Sequence, residues 1–294
     1  NEIWHLHNRL QYDLKWFDKI IVIENDKTFS GHSKPFFFEK YKHFFKDYLK
    51  DIIYVKNKNL PLPIKGRFVI PNSFKGNNIE LKENRWHVEH ASRAFAKQVT
   101  SSILKDDDFL CFQDVDEIVS HKNLSKYQNK SITQFQYHIY KFQIKEKFKM
   151  PNGSSDWLGG FGGEDGILKE FDFHDLRMFR DRNSWKVYHV ITPYHLKNID
   201  GSIIYPQYEL PSKNIFISDV GGWHLSSMYG NDHRTHTLKA DCFSHAEFSK
   251  SEPTDIEEST HQAISIFAKP PIKNYPIDKD FPKFLTKSKF FSCY

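Results

Sequence analysis

Apolar residues recur at helical spacing from the start of the chain, with Ile3, Leu6, Leu10, Leu14 and Phe17 on one side of an amphipathic helix. A continuous apolar run then ends in an acid, which predicts a buried parallel strand over 19–24 with Glu24 at its C-terminal tip. Residues 25–34 are turn-rich around Gly31, 36–50 read as helix, and 52–55 as a second short strand. The stretch 57–78 holds Pro61, Pro63, Gly66, Pro71 and Gly76 and predicts a long irregular connection. Residues 85–104 predict a helix with Val88, Phe95, Val99 and Ile103 as its core stripe. Trp86, Glu89 and Arg93 share another face of it. That face reads either as the lining of a site or as a packed Trp beside a surface ion pair. A strand at 109–112 follows. Strand and helix alternate here as in a parallel α/β sheet.

Beyond Glu117 the pattern changes. Residues 132–144 alternate and predict antiparallel strands, 153–166 are glycine-rich, and 185–191 and 215–220 are strand candidates. Thr254 and Glu257 form a capping box before a helix carrying Ile256, Ala263, Ile264 and Phe267. The tail, with Pro270, Pro271, Pro276 and Pro282, reads as extended on the surface, with peripheral membrane contact as a lesser alternative. The expected organisation is one large α/β domain: a nucleotide-binding half over 1–120, a second half over 121–268 and a tail over 269–294.

The 294 residues suffice for a substantial core, and 39% hydrophobic with 27% charged residues is an ordinary soluble composition. The net charge of +5 is spread along the chain, which argues against a nucleic-acid partner and weakly for a small anionic one. Phe (27) and Tyr (14) suit a packed core and flat surfaces for sugar rings. No run of apolar residues is long enough to span a membrane, and no secretory leader is visible. Three scattered cysteines form no disulfide framework or zinc spacing, and Cys111 reads as a core residue.

Three stretches carry candidate chemistry. In the first, the 109–112 strand runs into Asp114, Val115, Asp116 and Glu117. Ligands of open α/β sheets sit at the carboxyl ends of strands. In an extended chain Asp114 and Asp116 share a face, so both can point at one hard cation that completes its shell with water and phosphate oxygens. The alternative is an acidic loop capping a strand. In the second, four glycines at 159, 160, 162 and 163 precede Glu164 and Asp165. They permit close approach of a ligand, and an acid there can deprotonate an acceptor hydroxyl; the alternative is a turn with two solvated carboxylates. The third is Gly221, Gly222, Trp223 and His224, where the His can ligate a divalent ion and the Trp can stack on a sugar or base. Among 16 histidines, a structural role is the commoner one.

The chain resembles glycosyltransferase family 17, the β-1,4-mannosyl-glycoprotein N-acetylglucosaminyltransferases. The resemblance rests on an ordered set: Glu2, Arg9 and Leu10; residues 17–25; Thr28, Phe29, Ser30 and Gly31 with Lys34 and Pro35; Trp86, Glu89 and Arg93; Asp107 and Asp108; residues 114–118; Gly222, Trp223 and His224; and Phe243, Ser244 and His245. Residues 162–165 also look like the glycine loop and acidic motif shared among GT-A glycosyltransferases. The resemblance implies a GT-A (Rossmann-like) mixed sheet with flanking helices, a UDP-sugar donor (UDP-GlcNAc in the characterised branch), Mn²⁺ or Mg²⁺, a glycan acceptor and inversion at the anomeric carbon. It implies that Asp116 binds the metal and that Asp114 holds the ribose or a metal-bound water. His224 would be the late metal or diphosphate ligand, Asp165 the base, and Glu164 a contact to the acceptor. Glu24, Trp86, Arg93 and Trp223 would lie near the donor. Known relatives are membrane-anchored in the Golgi lumen; no anchor is visible here, so a cytoplasmic or peripheral membrane location is expected, or the Golgi lumen if an anchor has been removed, and richness in Lys, Asn, Ile and Phe suggests a microbial or viral source. The rival functions are a glycan-binding protein without catalysis, a metal-dependent sugar nucleotidyltransferase, and a metallohydrolase.

Overall fold

A computed structural model describes residues 3–69, 78–125, 132–141, 143–149, 156–171, 173, 189–191, 215–225 and 269–272. The chain opens with helix α1 (Ile3–Asp13) and enters strand β1 (Ile20–Asn25), which pairs in parallel with β2 (Ile52–Asn57). As the spacing predicts, Ile3, Leu6 and Leu10 turn inward, where they meet Phe38 and Phe45. The expected helix over 36–50 is instead α2 (Phe37–Lys40) and two single turns of 3-10 helix, Lys42–Phe45 and Leu49–Asp51. Aromatics are poor helix formers, and stacking Phe38 on Phe45 at 5.0 Å rewards the broken path.

The predicted connection over 57–78 contains β3 (Ile64–Val69), antiparallel to β4 (Asn78–Asn84). Pro61 and Pro63 precede this strand and so withhold no donor from its ladder, while Gly66 sits at a register irregularity. Helix α3 (Arg85–Ile103) forms as expected and leads into β5 (Phe109–Phe112), but of its predicted core stripe Val88 is buried and Ile103 is 39% exposed, and Ala96 and Thr100 take the inward positions.

β5 does not extend the β1–β2 pair into one parallel sheet. It joins a separate mixed sheet with β6 (Glu117–Val119), β7 (Ile132–Lys141), β8 (Gln143–Lys149), β9 (Asp156–Glu164), β11 (Ile215–His224) and β12 (Lys269–Ile272). Its path runs β5–β9–β7–β11–β6, parallel only between β7 and β11, with β8 and then β12 added beyond the end of β7. A short β10 (His189–Ile191) completes the three-stranded sheet with β3 and β4. The described residues thus form an α/β arrangement of separate sheets. Two short helices remain, α4 (His121–Leu124) and α5 (Asp165–Leu168).

The glycine-rich segment is a strand, and its glycines serve sheet packing. A Cβ on Gly160 would lie 2.5 Å from Phe112 O and 2.7 Å from Tyr137 Oη. One on Gly162 would lie 2.8 Å and 2.9 Å from the ring tips of Phe109 and Phe135. Between these close approaches, Phe161 is fully buried and packs with Ala96, Leu110, Ile132, Leu168 and Phe173. The predicted helix near 256–267, His245 and the tail beyond residue 272 lie outside the described residues.

Candidate functional site

β5 leads through Gln113 into a β-turn over residues 114–117, closed by Glu117 N–H donating to Asp114 O at 3.0 Å. Aspartate is favoured at the first position of such turns. The Asp114–Asp116 stretch is therefore bent rather than extended, and the two carboxylates have separate partners. Asp114 accepts two hydrogen bonds from Arg93, Nη1 to Oδ1 at 2.6 Å and Nη2 to Oδ2 at 3.1 Å. Arg93 is steadied by Glu89 at 3.5 Å and lies over the Phe112 ring, 5.4 Å from its centroid. This corrects the expectation of two carboxylates on one cation. Asp116, 7% exposed, instead faces His224, with Oδ2 and Nε2 3.5 Å apart.

His224 arrives on β11, whose antiparallel register with β6 sets His224 opposite Glu117 and Trp223 opposite Ile118. Leu225 N–H then donates to Asp116 O at 2.7 Å, tying the strand end to the turn. Neighbours on a strand point to opposite faces. Trp223 accordingly turns inward: it is 2% exposed and meets the Tyr12 ring edge-on at 6.2 Å. It offers no open face for stacking a sugar or base, which corrects that expectation.

The other side of the turn is held by α1. Arg9 donates from Nη1 to Asp114 O and from Nη2 to Gln113 Oε1, both at 2.8 Å, and from Nε to the buried Asp13 at 2.8 Å. Gln113 in turn donates to Cys111 Sγ at 3.2 Å. Burial, with the nearby Asp13 charge, pushes the Cys111 thiol up and keeps it unreactive. No role for Arg9 follows from its type alone; the visible signal was an acid four residues on in a helix with a clear core stripe.

Glu24 stands at the tip of β1, as expected. Its carboxylate is taken up locally, accepting from Phe37 N (2.6 Å), Phe38 N (3.1 Å), Tyr54 Oη (2.8 Å) and Lys34 Nζ (3.3 Å). It caps α2 and does not open toward a ligand. Two amides missed by sequence reading lie next to it. Asn25 and Asn57 end the parallel pair side by side, joined at 3.0 Å, and Asn25 donates to Ser92 of α3 at 2.9 Å. Trp86 lies in the first turn of α3, with only its backbone described.

Glu164 and Asp165 are not brought to this site. Glu164 pairs with Phe109, and Asp165 N–H donates to Asp108 O, so both stand at the start of β5. The length of β5, roughly 10 Å, and Gln113 separate them from Asp114 and Asp116. The acidic pair is therefore not positioned as the base of a reaction at Asp116, which corrects that expectation. Asp165 is 1% exposed. Burial pushes its carboxyl up; Lys169 counters this, and Asp106 and Asp108 add to it.

Among the described residues no group of three or more His, Cys, Asp or Glu is arranged to hold a metal ion. Asp116 and His224 are a two-donor set. Two donors at right angles, each about 2.1 Å from one ion, stand about 3 Å apart, so their 3.5 Å spacing fits neighbouring ligands after a small adjustment. Asp114, occupied by Arg93, does not fit as a third. No described helix is long and apolar enough to cross a membrane.

The family model for glycosyltransferase family 17 matches residues 1–157. Comparison with curated proteins and with solved structures finds no match.

Proposed function

The chain belongs to glycosyltransferase family 17 and is a glycosyltransferase, and from that premise we propose that it moves a sugar from a UDP-sugar to a glycan hydroxyl with a divalent cation at Asp116 and His224. The observation that carries the reading is the meeting of these two side chains at 3.5 Å, from segments far apart in sequence. In the reaction, the acceptor oxygen bonds to the anomeric carbon, the bond from that carbon to the diphosphate breaks with its electron pair leaving on the diphosphate, and the hydroxyl proton passes to solvent. Mn²⁺ or Mg²⁺, when bound, supplies Lewis-acid neutralisation of the departing diphosphate. The chain's part is to hold donor and acceptor in line, which supplies much of the rate. Arg93 fixes Asp114 beside the pair, and the ends of β1 and β2, tied together through Asn25 and Asn57, lie at the strand-end position where nucleotides of α/β sheets bind. N-acetylglucosamine is the proposed sugar and inversion the proposed outcome; both rest on the family resemblance.

The test is calorimetric titration of UDP and UDP-sugars with Mn²⁺ and with EDTA. The wild type binds in Mn²⁺ and loses affinity at least tenfold in EDTA. Asp116→Asn and His224→Gln abolish that difference. Equal affinity in both conditions for the wild type overturns the cation reading. Absence of any nucleotide binding, with retained glycan binding, replaces the transferase by a glycan-binding protein.

A further inference from the structure

The turn that carries Asp116 is fastened on two sides by different chemistry. On one side, Arg93 of α3 grips the Asp114 carboxylate. On the other, Arg9 of α1 grips the Asp114 carbonyl and the Gln113 side chain. The Asp114 carbonyl receives both Arg9 Nη1 and the N–H of Glu117 that closes the turn. Gln113 is fixed at both ends of its amide, accepting from Arg9 and donating to Cys111. Arg9 itself is aimed by Asp13, 2% exposed on the next turn of α1. Burial works against the Arg9 charge, but the Asp13 charge outweighs it and the guanidinium is held more firmly protonated than usual.

The reach of these contacts matters. A guanidinium is planar and presents five N–H groups in a fixed fork. Arg9 sends them in three directions at once: to its own helix, to the turn's main chain and to the residue leading into the turn. A lysine at this place carries the charge but only a single nitrogen, and cannot span Asp13, Asp114 O and Gln113 together.

We propose that Arg9 is the positioning residue of the cation-binding turn, coupling α1 to Asp116 through Asp114 and Gln113 without touching donor or cation. The proposal rests on the reading of Asp116 and His224 as the cation site. Its signature is a change in cation affinity rather than in the amount of folded protein. A residue that only supported the fold would lower the number of binding-competent molecules and leave the affinity of the rest untouched.

The experiment compares wild type, Arg9→Lys and Gln113→Met in calorimetric titrations of UDP at a series of Mn²⁺ concentrations and in EDTA, with thermal melts of each. In Arg9→Lys the Mn²⁺ midpoint for UDP binding rises tenfold or more, while the stoichiometry and the EDTA affinity stay at wild-type values. Gln113→Met, which removes one of the two contacts to the turn region, raises the midpoint two- to threefold. If Arg9→Lys does not fold, Gln113→Met decides by the same shift. Variants that match the wild-type midpoint, or that lose only stoichiometry, overturn the proposal. A wild type that shows no Mn²⁺-dependent UDP binding overturns the underlying cation reading and this proposal with it, a result distinct from variants that match a binding wild type.

Discussion

Gly160 offers a quantitative test of the claim that the glycines of β9 serve packing. In Gly160→Ala the new methyl would lie 2.5 Å from Phe112 O, 2.7 Å from Gln113 Cγ and 2.7 Å from Tyr137 Oη. The nearest of these is backbone of β5 and cannot swing aside. Overpacking of a well-filled interior costs typically 1–3 kcal/mol, and the rigid carbonyl sets this site at the top, about 3 kcal/mol. Replacing glycine recovers about 0.4–1 kcal/mol from the unfolded chain, so the net loss is roughly 2 kcal/mol. Gly162→Ala differs in kind. Its two closest contacts are the ring tips of Phe109 and Phe135, and the backbone is farther, at 3.3 Å from Leu110 O. Rings can tilt, so its cost lies near 1 kcal/mol and the net loss near zero. Urea denaturation followed by tryptophan fluorescence, with matched m-values, reads both. Gly160→Ala should lose roughly 2 kcal/mol more than Gly162→Ala. Equal losses, or the reverse order, would refute the packing argument and return the glycines to a ligand role.

Three further predictions concern Asp165 and Arg93. Asp165→Asn retains glycosyl transfer, because residue 165 stands at the far end of β5 from Asp116; loss of turnover in a folded variant would restore the base assignment. The same variant has a pH signature. The folded-state carboxyl of Asp165 is raised, so the folded chain holds that proton more tightly than the unfolded one. Wild-type stability is then lost as pH rises from the ordinary carboxylate range through the raised folded value. Melting temperatures of Asp165→Asn and wild type should converge in acid and separate in favour of the variant toward neutral pH; a constant gap would count against it. Arg93→Met strips Asp114 of two charge-assisted donors in a half-buried setting and should cost about 2 kcal/mol in urea denaturation; a loss under about 0.5 kcal/mol, the usual surface value, would show the pair to be solvent-screened.

Local order was legible where a short period decides it. The apolar stripe of α1, the runs that became β1 and β5, and the long helix α3 lie where their spacing puts them. The reading failed where distant partners decide. The bend at Asp114 is fixed by Arg9 and Arg93, neither of which is near it in sequence, so an i, i+2 argument on an extended chain did not apply. Glycines beside acids read as a loop, yet aromatics of β5 and β7 make them a strand. Prolines at 61 and 63 masked β3 because only the ladder shows that they fall outside it. The meeting of Asp116 and His224 came from the family pattern, since nothing in the local sequence of either residue names the other.

β6 sits at the end of its sheet, and among the described residues β11 is its strand partner. That partner lies well beyond residue 157, where the family match ends. During synthesis, then, the first half of the chain leaves the ribosome with β5, β6 and both long edges of β7 still lacking their strand partners, β9 and β11. Non-local pairings are slow to form, and unpaired edges invite association with other chains. The nascent protein is most exposed to misassembly between emergence of Val119 and emergence of Leu225. A fragment trimmed to the family-matched region would carry that vulnerability permanently, so soluble production favours chains that run past residue 225.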